Sequence, residues 1–222
     1  MRKYGLLLML FLSVNFWGEA IYAQQKVPFY DEIQAFKKHD SLNPPLKNGV
    51  LFIGSSSLRK WTDLEKTFAD YHAINRGFGG STLLDAIYYE HDLVDPYQPK
   101  QIVIYSGEND IAEGNVSAQI VLDRFKKLFE LIRQQQPLVP VAFISIKPSP
   151  SRAKFQPIVI ESNELIKKFL RKQRKTVFIN VYRKMLTADG QMRPELFGSD
   201  MLHMNAQGYQ IWTKAIHPHL IK

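Results

Sequence analysis

Five short apolar runs constrain the fold of this chain more than any other feature: Val50-Leu51-Phe52-Ile53, His72-Ala73-Ile74-Asn75, Ile102-Val103-Ile104-Tyr105, Val141-Ala142-Phe143-Ile144 and Val177-Phe178-Ile179-Asn180. Short runs of this kind, rich in β-branched residues, are what parallel strands show when helices cover both faces of their sheet. The intervening segments carry helical spacing, as in Ile120, Phe125, Leu128, Leu131 and Ile132, and then Ile158, Ile160, Leu165, Ile166, Phe169 and Leu170. Strand and helix therefore alternate, which predicts a doubly wound α/β sheet with right-handed crossovers. A further helical segment over Phe29 to Asp40 precedes the first strand, set off by Leu42-Asn43-Pro44-Pro45-Leu46.

The first residues do not belong to that pattern. Met1-Arg2-Lys3-Tyr4 is basic, Gly5 to Val14 is almost wholly apolar, and Ala20-Ile21-Tyr22-Ala23 ends on a small residue. This is the layout of a cleaved signal peptide over residues 1–23, leaving 24–222 as a single domain exported to the periplasm or beyond the cell. The apolar run is too short to span a bilayer, and Asn15 and Glu19 interrupt its continuation, so no stable membrane insertion is expected. The absence of cysteine excludes disulfides, thiol catalysis and a cysteine-linked lipid.

The net charge of +8 suits an anionic surface or substrate. Its densest stretch, Lys167 to Lys175, offers only Phe169 as an aromatic and reads as a solvated helix face. No nucleic-acid partner is expected.

In open α/β sheets ligands bind beyond the carboxyl ends of the strands. The loops there are polar and glycine-rich: Gly54-Ser55-Ser56-Ser57 after the first run, Arg76-Gly77-Phe78-Gly79-Gly80-Ser81-Thr82 after the second, Ser106-Gly107-Glu108-Asn109-Asp110 after the third. Ser199-Asp200-Met201-Leu202-His203 follows the last run by some twenty residues.

A serine hydroxyl needs an imidazole to take its proton and a carboxylate to orient that imidazole. Asp200 and His203 stand three apart, neighbours if they share one helical turn. The other five histidines, at 39, 72, 91, 217 and 219, have no such partner in a post-strand loop. Acyl transfer also needs donors aimed at a developing oxyanion, and Gly80 N–H, Ser56 N–H and the Asn109 amide could supply three. Each feature has a plain alternative: Asp200 and His203 as a surface pair, the glycines as shapers of a tight turn, Asn109 as a helix cap.

Taken together, LFIGSSSLRKW, NRGFGGSTLLD, YSGENDIAEG and SDMLHMNAQGY resemble, in this order, the four conserved blocks of the SGNH hydrolase superfamily, also called GDSL esterases and lipases. The resemblance spans nearly the whole of 24–222 and implies a flavodoxin-like three-layer sandwich of about five parallel strands. It also implies Ser56 as nucleophile, Gly80 and Asn109 as oxyanion donors beside the Ser56 N–H, His203 as base and Asp200 as its orienter. One departure stands out: the aspartate before the family's nucleophile is Ser55 here, and Ser56 is the serine that keeps the Gly-x-Ser register with Gly54. An ordinary α/β-hydrolase elbow does not fit, since Leu58 occupies the place of its second glycine.

Other residues invite weaker readings. Trp61 reads as core before it reads as a pocket wall. Glu108 and Asp110 flank Asn109, but adjacent carboxylates without histidines do not make a metal site, and neither metal nor cofactor is expected. Lys147 and Arg152, in Ile146-Lys147-Pro148-Ser149-Pro150-Ser151-Arg152 after the fourth run, are placed to meet an anionic or sugar substrate, unless the prolines merely stiffen the loop. Asn205 should cap a last helix starting near Ala206.

The expectation is a serine ester hydrolase removing short acyl groups, first of all O-acetyl, from glycans or related small esters. The alternatives are a lipid-directed acylhydrolase of the lysophospholipase or platelet-activating-factor acetylhydrolase kind, and a carbohydrate-binding module without turnover.

Overall fold

The computed structural model describes residues 27–222, so the leader expected over residues 1–23 lies outside the described residues. The elements run α1 (Tyr30–Leu42), β1 (Val50–Gly54), α2 (Ser56–Arg59), α3 (Leu64–Thr67), β2 (Ile74–Gly77), α4 (Leu83–Tyr88) and α5 (Glu90–Val94) in the first half. The second half adds β3 (Gln101–Tyr105), α6 (Glu108–Ala112), α7 (Ala118–Gln135), β4 (Val141–Ile144), α8 (Gln156–Leu170), β5 (Thr176–Ile179) and α9 (Ala206–Ile216). The five strands form one parallel sheet in the order β2-β1-β3-β4-β5.

Pleating sends successive side chains to opposite faces. Leu51, Ile53, Ile102, Ile104, Val141 and Phe143 enter one core, together with Ile33 of α1, Leu83 of α4, Val121, Phe125, Leu128 and Ile132 of α7, and Ile166 of α8. Val50, Phe52, Val103, Tyr105, Ala142 and Ile144 enter the other, with Leu58 of α2, Leu64 of α3, and Trp212, Ala215 and Ile216 of α9. The result is the three-layer α/β sandwich expected of largely apolar strands covered on both faces. Three helix starts are capped by side chains: Ser117 accepts from Ile120 N–H before α7, Thr82 and Asp85 form a capping box on α4, and Asn205 accepts from Gln207 and Gly208 N–H before α9.

The start of the second strand differs from the sequence reading. The second strand starts at Ile74 rather than His72, because His72 adopts a left-handed φ of 50° that closes the short turn Ala69–Tyr71. The helix after β1 is a single turn ending at Arg59, so Trp61 lies beyond it. Trp61 is nevertheless core, stacked on Tyr209 at 5.0 Å between ring centroids and edge-on to Trp212 at 6.1 Å.

The strand order fixes where a site can form. From β1 the chain builds to β2 on one side and to β3, β4 and β5 on the other, so the loops leaving β1 and β3 part at a switch point and open a crevice at their carboxyl ends.

Phe125 is fully buried, 4.8 Å from the Phe143 ring and 6.1 Å from that of Phe169. Phe125→Ala is expected to lower the unfolding free energy by about 3–5 kcal/mol. Urea titration should show this as a lower midpoint with an unchanged slope.

Candidate active site

Gly54 ends β1 with φ 141°, and a Cβ built there would collide with the carbonyl oxygen of Tyr105 on β3. Ser55 N–H donates to that same oxygen at 3.0 Å. The chain is thereby turned from strand into α2, with Ser55 extended at the N-cap and Ser56 as the first helical residue. Ser55 and Ser57 are each 2% exposed, whereas Ser56 is half-buried and its Oγ lies 2.9 Å from His203 Nε2. Of the three adjacent serines, Ser56 is therefore the one aimed at the imidazole.

His203 and Asp200 do not share a helical turn. They sit in an irregular loop in which Met201 takes a left-handed φ of 51° and Gly198 N–H closes onto His203 O at 2.8 Å. Within it Asp200 Oδ1 accepts from Leu202 N–H at 3.0 Å and His203 N–H at 2.9 Å, while Oδ2 lies 2.6 Å from His203 Nδ1. An ionised carboxylate only accepts, so Nδ1 carries the proton and Nε2 presents its lone pair to the Ser56 hydroxyl. The ring and backbone N–H groups of His203, joined by the Leu202 N–H, hold the Asp200 carboxyl well below the usual carboxylate range. Tyr209 OH, donating to Ser57 O at 2.9 Å, ties α9 to α2 beside this loop.

Gly80 has φ 76°, and nothing lies within 4 Å of where its Cβ would be. Among the described residues its N–H donates to no protein acceptor, nor does that of Ser56, an orphan donor at the start of α2. Asn109, in α6, donates from Nδ2 to Ser81 O at 2.9 Å and accepts at Oδ1 from Arg152 NH2 at 2.9 Å. A guanidinium only donates, so Arg152 fixes which end of the amide is oxygen, and Asn109 keeps one N–H free. The sequence-predicted Ser56, Gly80, Asn109, Asp200 and His203 come from the four loops expected.

Lys147 is the one whose place differs from expectation. It is 1% exposed, not on the rim, and its ammonium donates to Glu108 Oε2 at 2.5 Å and Ser149 Oγ at 2.9 Å. A buried ammonium must be paired, and the partner is the residue next to Asn109. Arg152 stays partly exposed at 20% of its side chain, between Asn109 and Glu108 Oε1 at 3.7 Å.

Sequence reasoning missed Glu108 as the hub of this wall. It also accepts from Tyr105 OH at 2.6 Å and from Ser149 Oγ. Burial acts to raise its carboxyl, but Lys147, Arg152 and Ser149 outweigh that and leave it lowered. On the far side of Asn109, Asp110 is fully buried, accepts from Leu83 N–H at 2.9 Å and Arg124 NH1 at 2.7 Å, and so fastens α6 to α4 and α7. The available signal was a lysine three residues beyond a wholly apolar strand, which calls for a counter-charge nearby.

Lys147→Met would strand the Glu108 carboxylate and is expected to cost about 3–5 kcal/mol of stability, with the Lys147→Met/Glu108→Gln pair costing less than the single change. Denaturant titration of both variants measures this. Asp200 has a depressed folded value, so its contribution to stability is complete above the unfolded value of about 3.9 and is lost as pH falls toward the folded value. The stability gap between the natural protein and Asp200→Asn should therefore narrow below about pH 4, a trend that thermal melts across pH will reveal.

The GDSL-like lipase/acylhydrolase family profile matches residues 51–211. No curated protein sequence matches the chain. Among solved structures, a Streptococcus pneumonia protein described as a candidate platelet activating factor has a TM-score of 0.74 at 21% identity, covering 86% of this chain and 92% of its own. A GDSL-like lipase from Bacteroides thetaiotaomicron VPI-5482 has a TM-score of 0.71 at 20% identity, covering 85% and 96%. A carbohydrate esterase family 3 protein from Talaromyces cellulolyticus follows at 0.62 and 18% identity, covering 78% and 95%. At these identities the structural likeness is one of fold.

Proposed function

Because the chain belongs to the GDSL-like lipase/acylhydrolase family, and is thus a hydrolase of ester bonds, we propose that Ser56, His203 and Asp200 are its catalytic triad and that it removes short acyl groups, O-acetyl first, from glycans. The observation that carries the reading is the continuous line Asp200 Oδ2, His203 Nδ1, His203 Nε2, Ser56 Oγ, with links of 2.6 and 2.9 Å.

In this mechanism His203 Nε2 takes the Ser56 hydroxyl proton as Oγ bonds to the ester carbonyl carbon. The carbonyl oxygen becomes an oxyanion, met by Ser56 N–H, Gly80 N–H and the free Asn109 Nδ2–H. Collapse breaks the bond to the alcohol oxygen, which receives the proton from His203. Water then gives a proton to Nε2 and attacks the acyl carbon, releasing the carboxylic acid and restoring Ser56. Asp200 remains ionised throughout, holding the tautomer and stabilising the imidazolium. The resident groups suffice for both steps.

Three observations support a small acyl group on a large alcohol. The Asp200 side chain is 47% exposed and Gly80 faces open space, so the reacting carbonyl can be reached while the rest of the substrate stays outside. Arg152 adds a partly exposed polar group beside Asn109. A carbohydrate esterase stands among the structural neighbours. The basic and apolar start of the sequence further supports export, to the periplasm or the exterior, where such glycans would be met.

The test is hydrolysis of p-nitrophenyl acetate and octanoate, followed by acetate release from an acetylated glycan. Acetate should be preferred, and Ser56→Ala and His203→Ala should each lose on the order of 10⁴-fold in kcat. Asn109→Ala should lose about 10²–10³-fold. Preference for octanoate would transfer the substrate reading to lipids, and turnover that survives Ser56→Ala would overturn the triad.

A further inference from the structure

The triad and the oxyanion donors all follow β1, but the glycine loop is held from a helix that precedes it. Along β2 and the loop beyond, α1 and the residues just before it grip successive positions. Asp40 Oδ1 accepts from Arg76 NH2 at 2.5 Å, and the Arg76 guanidinium lies 5.1 Å from the centre of the Phe36 ring. Phe29 meets Phe78 edge-on at 5.3 Å, and Tyr89 OH reaches back to Pro28 O at 2.6 Å. Glu32 Oε2 then accepts the Gly79 N–H at 3.1 Å.

That same oxygen lies 3.2 Å from Nε of Arg59, three residues beyond Ser56 on α2. The Arg59 guanidinium presses on Gly79 so closely that a Cβ there would collide with it. One carboxylate thus joins the helix bearing Ser56 to the loop bearing Gly80. The direction of the Gly80 N–H is the direction of the peptide plane between Gly79 and Gly80. Glu32 holds the plane before it, between Phe78 and Gly79, and Arg59 packs against Gly79 itself, so together they limit how far that plane can turn about two glycines in a row.

We propose that Glu32 is a positioning residue for catalysis: by fixing Gly79 against Arg59 it aims the Gly80 N–H at the oxyanion. Glu32 stands on α1, ahead of the residues 51–211 that the family profile matches. The inference rests on the proposed triad and oxyanion hole, and assigns α1 a share in rate as well as in stability.

The experiment compares Glu32→Ala, Glu32→Gln and Lys37→Ala on p-nitrophenyl acetate, with Ser56→Ala alongside and thermal melts of each. Lys37, on the same helix as Glu32, pairs with Asp92 of α5 at 2.6 Å and controls for loosening of α1 in general. Glu32→Ala should lose about 10-fold in kcat with KM within about twofold, less than the roughly 10²–10³-fold for deleting a donor outright. Glu32→Gln retains an acceptor for the Gly79 N–H and should recover most of that loss, while Lys37→Ala leaves kcat unchanged. A Glu32→Ala enzyme with natural kcat, a loss carried by KM, a loss that Gln does not recover, or an equal loss in Lys37→Ala would overturn the proposal. If Ser56→Ala kept its rate, the triad itself would fall, so the two failures are distinguishable.

Discussion

The close approach of Gly54 to the Tyr105 carbonyl is the constraint on which the rest of the site depends. It joins the ends of β1 and β3 with no side chain between them, at the point where the strand order reverses. From one side of that contact the chain turns into α2 and delivers Ser56; from the other it runs through Gly107 into α6 and delivers Glu108 and Asn109. A larger residue at 54 would force the two strand ends apart and separate Ser56 from Asn109. The packing of two backbones thus sets a distance that chemistry needs.

Around this junction the polar groups divide by depth. Glu108, Lys147, Tyr105 and Ser149 form a buried ionic floor in which every charge has a partner. Above it Arg152 and Asn109 form a half-exposed layer, and Asp200 stands at the edge, with backbone N–H groups and the imidazole holding its charge in place. Buried floor groups keep rigid what lies above them, while the exposed edge leaves room for substrate. Neither layer would serve alone: a flexible amide would aim poorly, and a buried carboxylate at position 200 would be harder to keep ionised.

Much of this was legible in the sequence because the relevant signals are local. Apolar runs separated by helical spacing indicated the sheet and its layers, and the resemblance of four post-strand blocks to the family pointed to Ser56, Gly80, Asn109, Asp200 and His203, which the fold places in the loops expected. What escaped depends on contacts distant in sequence. Lys147 reads as exposed until Glu108, 39 residues earlier, is seen to face it. Glu32 looks like any solvated helix residue until Gly79, 47 residues later, is placed against it. The late start of β2 turns on a left-handed His72 that propensity does not favour.

The buried Glu108–Lys147 pair also has a consequence for how the chain acquires its activity. Glu108 follows β3 and Lys147 follows β4, and neither charge can be withdrawn from water until the other strand has docked. A nascent chain that has laid down β1, β2 and β3 already owns its serine, its glycine loop and its asparagine. In such a chain Glu108 has no Lys147 to pair with, which disfavours seating α6. The native placement of Asn109 is thereby favoured only once the second half of the sheet has docked, which ties the proposed donor to completion of the fold.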